Sequence, residues 1–413
     1  MPLLKKILRK TLLHIKIIVM KITEVNVTHV NQCLWGSFER QFEIKFVNPM
    51  QAYPRFGWKD WFWDRRVSVV EITTDEGYTG IGWCEDGCAA VPPIINNHMK
   101  RLVIGEDPFD YEGIWDRLYR SSIPYGRKGV ALEAIAAIDI AIWDVMGKAT
   151  GKSVSALLGG GAVTDVPTYA SGLHPVSADK VAAEAADYVA QGYPAMKCRF
   201  QFGPHDGAKG LAANIEHVRT IREAAGEEVM IMGDAYMGWN LAYAIEFCRK
   251  AEKYNLSWLE EPFLPDELTS YARLCKETNI PIAGGEHEFT HYGFAQIIEK
   301  EAMHILQPDL HRCGGITEGR RIANLASSYG LTVNPHAFSS VHVHFVAAMP
   351  NAHFVEHFPV PVWEREMWRK ETPLIQGQPS FDNGSFKVPQ TPGLGITVDW
   401  DSVTFNKRKE TVL

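Results

Sequence analysis

Short apolar runs alternate with amphipathic stretches along the second half of the chain. From Val166 onward, eight runs have the length and composition of buried β-strands, beginning with VPTYASG and YPAMKCRF and ending with HFVEHF. Each run except the last is followed by a stretch in which apolar residues recur at helical spacing. This alternation predicts an α/β fold in which the parallel strands close into a barrel.

The first half of the chain has a different pattern. A strand pattern begins at Met20, VSVVEITTDEGYTGIGWCE predicts two strands joined by the turn DEGYTG, and residues 108–150 predict helices. Together they predict a smaller α+β unit ahead of the barrel. After about residue 361 the sequence becomes rich in Pro and Gly, and we expect it to pack back on the first unit. The predicted divisions are residues 1–19, 20–160, 161–360 and 361–413.

The first 19 residues are basic and apolar, with charges that interrupt every apolar run. We interpret them as an extension ahead of a natural start at Met20. A membrane-surface helix or a weak signal peptide are the alternatives. No segment of the sequence is long enough to span a membrane.

Charge and cysteine content narrow the possible partners. The formal net charge of −7 argues against a nucleic-acid partner. The seven cysteines form no CxxC pair, which favours reduced thiols over a disulfide framework or a zinc site. We therefore expect a cytoplasmic protein that acts on a small molecule and associates neither with nucleic acid nor with a membrane.

Three carboxylates close successive apolar runs at an equal interval of 26 residues. They are Asp234 in MIMGDA, Glu260 in LSWLEE and Glu286 in PIAGGEH. That interval fits one strand plus one helix, so the three acids should meet at one end of the barrel. Converging carboxylates repel each other unless a cation holds them, and oxygen ligands without cysteine suit Mg²⁺ or Mn²⁺. Glu261 is the alternative to Glu260, but the even interval favours Glu260.

The other predicted strands of the barrel also end in ionisable residues. Lys197 and Arg199 end the second strand, and Glu356 ends the eighth. Asp309 ends the sixth predicted strand and His336 the seventh. A carboxylate behind an imidazole fixes its tautomer and raises its basicity, so His336 is a candidate general base. His287, beside Glu286, is a candidate for a substrate hydrogen bond.

The order and spacing of these residues resemble the mandelate racemase subgroup of the enolase superfamily, from Met20 to about residue 400. The resemblance implies a modified TIM barrel, (β/α)7β, with an N-terminal α+β capping domain. It also implies that Asp234, Glu260 and Glu286 bind Mg²⁺ and that His336 is the base. Asp309 would support the base, and Glu356 would hydrogen-bond the enediolate.

A narrower resemblance connects the chain with the acid-sugar dehydratases, the rhamnonate dehydratases among them. It rests on GPHDG at 203–207, GEH at 285–287, QPDLHRCGGIT at 307–317 and NPMQAYPRF at 48–56. By this resemblance Arg55 binds substrate, and capping loops around residues 33–60 and 84–92 select it. The implied reaction is dehydration of an aldonic acid to a 2-keto-3-deoxy acid. Relatives imply a homo-oligomer, from dimer to octamer.

The sequence departs from that family at two places. The usual KxK of the second strand is Lys197-Cys198-Arg199, and a capping-loop histidine has no clear counterpart, with Arg40 near its place. Two alternatives to dehydration stay open: racemisation or epimerisation with Lys197 as a second base, and a barrel that binds sugar acids without catalysis. For dehydration, the general acid is either His336 itself or Lys197.

Overall fold

The computed structural model describes residues 20–30, 46–53, 55, 67–85, 89–337, 339–362 and 374–402. The predicted extension 1–19 lies outside these residues, as do Arg40, most of the predicted capping loop 33–60 and residues 86–88 of the predicted loop 84–92.

The first unit packs helices against one face of a small antiparallel sheet. Its strands are β1 (Ile22–Val30), β2 (Val67–Thr74) and β3 (Thr79–Glu85), in the order β1-β2-β3. The helices are α1 (Val91–Asn97), α2 (Tyr111–Ser122), α3 (Val130–Thr150) and α4 (Val154–Leu157). Short 3₁₀ helices span Pro49–Ala52, Met99–Leu102 and Pro108–Asp110. The predicted α+β unit is confirmed.

Helix α3 lies directly on β3 because two glycines remove the side chains between them. A Cβ at Gly82 would come within 2.0 Å of the Ala137 carbonyl oxygen, and one at Gly80 within 2.1 Å of that of Ala141. The helix ends where Gly151 takes the left-handed conformation at φ 66°, which costs little without a Cβ.

The second unit is a barrel of parallel strands, as its alternating pattern predicted. Its eight strands are β4 (Asp165–Ser171), β5 (Ala195–Arg199), β6 (Met230–Asp234), β7 (Leu256–Glu260), β8 (Ile282–Gly284), β9 (Ile305–Leu306), β10 (Thr332–Val333) and β11 (Val355–His357). The seven intervening helices are α5 (Ala178–Ala190), α6 (Gly207–Ala225), α7 (Leu241–Ala251), α8 (Leu268–Glu277), α9 (Thr290–Glu299), α10 (Gly315–Ser328) and α11 (Ser339–Ala348). A 3₁₀ turn at Pro204–Asp206 precedes α6, and another at Glu252–Tyr254 follows α7.

Pairing runs in sequence order from β4 to β10, and β11 returns to pair with β4 in parallel. A bridge between Val333 and Ala352 joins β10 to the segment just before β11. Inward-facing residues fill the interior: Tyr169, Ala195, Met232, Trp258 and Ala283 form a cluster separate from the larger core outside the barrel. The (β/α)7β barrel and its N-terminal capping domain are therefore confirmed, and the active end of such a barrel is where the strands terminate.

The last segment contacts both units. Its strands are β12 (Ile375–Gln376), β13 (Phe381–Asp382), β14 (Ser385–Lys387) and β15 (Thr397–Val398), followed by a 3₁₀ turn at Trp400–Ser402. Strand β14 pairs antiparallel with β4 of the barrel. Near the capping domain, the Leu394 amide donates to Asp144 of α3 at 2.8 Å and the Trp400 indole donates to Glu71 at 3.3 Å. The domain limits given above stay a prediction.

None of the helices in the described part of the chain is long and apolar enough to cross a membrane.

Candidate active site

Three neighbouring strands end in one row of charged residues. Arg199 is paired in register with Asp234, and Asp234 with Glu260, so their side chains lie side by side at the same level of the barrel. Glu286 follows two residues after the end of β8. The structure thus brings the three evenly spaced carboxylates to one end of the barrel. All three are buried, with at most 3 % of each residue exposed.

A fully buried lysine lies among the carboxylates. The Lys197 ammonium forms an ion pair with Glu260, lies 2.9 Å from Glu356 Oε1 and 3.6 Å from Asp234 Oδ2. Burial alone would lower the pKa of Lys197, but the negative charges of Glu260 and Glu356 raise it well above its usual value. Lys197 is therefore a fixed positive charge in this site.

Donors other than the lysine also hold these acids. Glu260 Oε2 accepts hydrogen bonds from the Trp258 indole at 2.9 Å and the Gln307 amide at 2.7 Å. Asp234 Oδ1 accepts from the Tyr236 amide at 2.8 Å. Asp234 Oδ2 is buried and lies 2.6 Å from Arg199 NH1, yet no described residue gives it a hydrogen bond of good geometry. Its positive neighbours are the side chains of Arg199 and Lys197.

The residues fit a hard divalent cation. Three carboxylates from adjacent strand ends provide the oxygen ligands that Mg²⁺ prefers, and Asp234 Oδ2 is a ligand atom without a hydrogen-bond donor. Among the described residues, a different group that shares only Glu286 with these three brings its possible ligand atoms within 4.8 Å of one another: Glu261, Glu286 and His287. In that group, however, Glu261 already accepts from the His287 ring at 2.8 Å and the Gly285 amide at 3.3 Å. The evenly spaced carboxylates differ in coming from three adjacent strands, and their assignment as the cation ligands stays a prediction.

His336 and Asp309 form the hydrogen-bonded pair that the sequence predicted. His336 Nδ1 donates to Asp309 Oδ2 at 2.9 Å, so Nε2 is the ring nitrogen free to accept a proton. That Nε2 lies 3.5 Å from Glu286 Oε2, beside the carboxylate group. Burial lowers the pKa of His336, but Glu286, Asp309 and Glu356 together raise it to about 9. The pair has the geometry of a general base with its supporting acid.

Glu356 contacts both Lys197 and the residue that follows His336. Its Oε1 faces Lys197, while its Oε2 accepts from the Ala337 amide at 2.8 Å. Ala337 has φ 56°, a conformation that a residue with a Cβ adopts only when its surroundings hold it. Glu356 therefore fixes the chain immediately after His336 and also lines the site.

The chain matches two family models in succession. Residues 62–159 match the N-terminal domain of the mandelate racemase / muconate lactonizing enzyme family, and residues 180–402 match the enolase C-terminal domain-like family. The chain belongs to the mandelate racemase/muconate lactonizing enzyme family. The predicted membership of the enolase superfamily is confirmed.

Several named proteins are similar to this one over most of the chain. The L-rhamnonate dehydratase of Saccharopolyspora erythraea is 34 % identical over 358 residues, which cover 86 % of this chain and 89 % of that protein. The crystal structure of rhamnonate dehydratase from Gibberella zeae complexed with Mg has a TM-score of 0.81 at 26 % identity, covering 93 % of this chain and 95 % of that one. The 3,6-anhydro-D-galactonate cycloisomerase of Zobellia galactanivorans has a TM-score of 0.75 at 31 % identity, covering 93 % and 98 %.

The segment before Arg55 crosses the mouth of the barrel. The Val47 amide donates to the Phe200 carbonyl at 2.8 Å, just after β5. The Arg199 guanidinium lies against the rings of Phe46 and Tyr236, 5.6 and 5.5 Å from their centroids. Arg199, the departure from the family's KxK, is thus held by two aromatic rings as well as by Asp234. Arg55 itself is exposed, and its substrate-binding role stays a prediction.

His287 is partly exposed and belongs to the same end of the barrel. Its Nδ1 donates to Glu261, which leaves its other ring nitrogen for a further partner. Its ring lies 5.9 Å from that of Tyr236. Glu261 thus orients the His287 ring, and the substrate-binding role of His287 stays a prediction.

Sequence reasoning missed residues that complete the site. Gln307 and Trp258 hold Glu260, Tyr236 lines the mouth, and Arg312 lies 3.5 Å from Glu286 and 3.6 Å from Asp309. Gln307 and Arg312 both lie in the quoted segment QPDLHRCGGIT, which was the available signal. Trp258 and Tyr236 could not be distinguished from core aromatics by pattern alone.

A third group of possible ligands, Asp309, His311 and His342, is better explained as structure. His342 Nε2 accepts from the Leu310 amide at 3.2 Å and its Nδ1 bonds to the Ala337 carbonyl. Both ring nitrogens of His342 are therefore occupied, and Asp309 supports His336.

Proposed function

We propose that this enzyme dehydrates an aldonic acid to a 2-keto-3-deoxy acid. The chain is an enolase-superfamily acid-sugar dehydratase, as its similarity to curated rhamnonate dehydratases supports. One observation carries the proposal to this site: His336 Nε2 lies beside Glu286 while its Nδ1 is held by Asp309. A base in this position can remove the C2 proton of a substrate whose carboxylate is held by a cation at Asp234, Glu260 and Glu286.

We propose Asp234, Glu260 and Glu286 as the ligands of Mg²⁺, with Mn²⁺ as a possible substitute. Relatives whose crystal structures contain magnesium support this choice. When bound, the cation would stabilise the negative charge that develops on the substrate carboxylate as the C2 proton leaves.

The chain's own residues move the protons. His336 Nε2 takes the C2 proton, Asp309 stabilises the resulting imidazolium, and the C2 electron pair forms the C2–C3 double bond as the 3-hydroxyl leaves. The departing oxygen takes a proton and becomes water, and the enol left behind tautomerises to the 2-ketone. Lys197 and Glu356 supply fixed charges around the developing enol.

His336 is the better candidate for the acid that protonates the leaving hydroxyl. Lys197 is fully buried, and its ammonium lies among three carboxylates. Because their charges raise its pKa, Lys197 is a poor proton donor. His336 carries the C2 proton at just the moment at which the 3-hydroxyl needs one. Elimination would then be syn, with both transfers on one face of the substrate.

We propose that the substrate is a rhamnonate-like acid sugar. Arg55 and His287 are the candidate partners of its distal hydroxyls, and Arg199 provides a positive charge near the acidic group. L-rhamnonate is the first compound to assay because curated relatives carry that activity in their names. Homo-oligomerisation also stays a proposal, and light scattering of the purified protein would test it.

Epimerisation is the nearest rival reaction, but it needs a base on each face of the substrate. Lys197 would have to act as a neutral amine, against the raised pKa that its carboxylate neighbours give it. The cycloisomerase relative shows that proteins of this fold catalyse other reactions too. Product identity must therefore decide.

The test is a panel of aldonic acids with Mg²⁺, assayed with semicarbazide for 2-keto acids. We expect a 2-keto acid from at least one compound, and no turnover of it by His336→Asn. His353→Asn, at an exposed position, is the matched control and should retain full activity. Inversion at C2 without a semicarbazide signal would instead establish an epimerase, and complete inactivity of the wild type would support a binding protein.

A further inference from the structure

The segment that carries Asp309 is held in part by the capping domain. The Trp115 indole of α2 donates to the Gly314 carbonyl at 2.7 Å. Asp139 of α3 accepts from the Thr317 amide at 2.9 Å and from its hydroxyl at 2.6 Å. These contacts fix the start of α10 at Gly315, six residues after Asp309.

Strand β3 of the capping domain makes two contacts closer to Asp309 itself. The buried Trp83 ring packs on the ring of His311, with 4.8 Å between centroids. Glu85 Oε2 lies 3.8 Å from Arg312 NH2. Residues two apart on a strand face the same side, so one face of β3 meets two consecutive residues of the segment.

Both of these consecutive residues contact the Asp309 carboxylate. The His311 amide donates to Oδ1 at 2.8 Å, and its ring Nδ1 lies 3.5 Å from the same oxygen. Arg312 Nε lies 3.6 Å from Oδ2, the oxygen that accepts from His336. Each oxygen of the dyad's carboxylate therefore has a neighbour that touches the capping domain.

Arg312 also contacts Glu286, one of the three evenly spaced carboxylates. Its NH1 donates to the Glu286 carbonyl at 3.5 Å and lies 3.5 Å from Glu286 Oε1. One guanidinium thus lies between Asp309, Glu286 and Glu85, with its side chain only 16 % exposed. A planar group with several fixed donors can hold two carboxylates at a set separation, which the point charge of a lysine cannot do.

We propose that Arg312 is a positioning residue through which Glu85 of the capping domain sets the place of the His336–Asp309 pair relative to Glu286. The proposal rests on His336 as the base of the proposed function. It assigns to the capping domain a part in proton transfer, in addition to substrate selection. Loss of either Arg312 or Glu85 should slow proton transfer with little effect on substrate binding.

Steady-state kinetics of Arg312→Gln, Glu85→Gln and the double variant test this on the acid sugar that the wild type turns over fastest. We expect Arg312→Gln to lower kcat about 100-fold and Glu85→Gln about fivefold, with KM within about threefold. The double variant should resemble Arg312→Gln alone, because Glu85 acts through Arg312. Arg312→Lys should recover little of the activity. Glu76→Gln and Arg273→Lys, both at exposed positions, are the matched controls.

A second measurement does not depend on turnover. The Nδ1 proton of His336, bonded to Asp309, should give a low-field proton NMR line, identified by its loss in His336→Asn. We expect that line to shift or broaden in Arg312→Gln and Glu85→Gln and to stay unchanged in both controls.

The outcomes separate the two proposals. Multiplying effects in the double variant, or an unchanged NMR line in Arg312→Gln, would overturn the positioning role. An inactive wild type whose low-field line still responds to Glu85→Gln would reject the proposed reaction while retaining the link from β3 to the pair.

Discussion

The two sides of the barrel mouth are built in different ways. On the side of β5 to β7, charged residues belong to regular strands whose register aligns Arg199, Asp234 and Glu260. On the side of β9 and β10, each strand has only two residues, and Asp309 and His336 lie three residues beyond the strand ends. There the loops depend on contacts from the capping domain and from Glu356.

The two sides of the mouth position their side chains by different contacts. Backbone hydrogen bonds of the sheet position the carboxylates, and side chains set by other elements position the base. We therefore expect damage on the strand side to change stability and cation binding first, and damage on the loop side to change catalysis first.

The largest expected effect is on the loop side, in Asp309→Asn. The substitution keeps the shape of the side chain but removes the charge that holds the His336 tautomer and stabilises its imidazolium. We expect kcat to fall about 10³- to 10⁴-fold, with a melting temperature close to that of the wild type. Turnover and thermal unfolding of the same preparation measure both. A large fall in melting temperature would contradict the expectation that damage on the loop side changes catalysis first.

On the strand side, Lys197→Met should act mainly on stability. It leaves Asp234, Glu260 and Glu356 buried without their shared cation, and breaking such a group costs about 3–5 kcal/mol. If the proposed ligands bind Mg²⁺, the added ion should restore part of that loss. Urea unfolding in EDTA and in Mg²⁺ measures the effect, with the exposed Arg273→Met as control. Equal losses in both solutions would argue against a cation at these carboxylates.

The features of the site that the sequence could predict divide along the same line. The 26-residue interval predicted the convergence of Asp234, Glu260 and Glu286, because strand and helix lengths are local properties. The pairing of His336 with Asp309 was also predicted, since successive strands end at the same side. The contacts of Arg312 with Glu85 and of His311 with Trp83 could not be, because they join residues more than 220 positions apart and follow no period.

The junction of the capping domain with α10 should give the fold a pH dependence of its own. Burial raises the pKa of Asp139 to about 7, despite its bonds from Thr317, so the folded protein holds a proton that the unfolded chain releases near pH 4. Stability should therefore fall as the pH rises from about 4 to about 7, by up to about 4 kcal/mol. Urea unfolding at pH 5 and pH 8 should show a smaller decrease in Asp139→Asn. An identical pH dependence in both proteins would exclude this role for Asp139.

The smallest expected effect concerns the exposed end of the site. Arg55 lies in the solvent-exposed part of the segment that crosses the mouth, so its attraction for a substrate is screened by water. We expect Arg55→Met to raise KM about tenfold, or about 1.4 kcal/mol of binding, with kcat unchanged. Arg101→Met, exposed elsewhere on the capping domain, is the control and should leave KM as it is. A fall in kcat instead would mean that this exposed end shares in the positioning assigned to β3, and the division of the mouth into two sides would need a third.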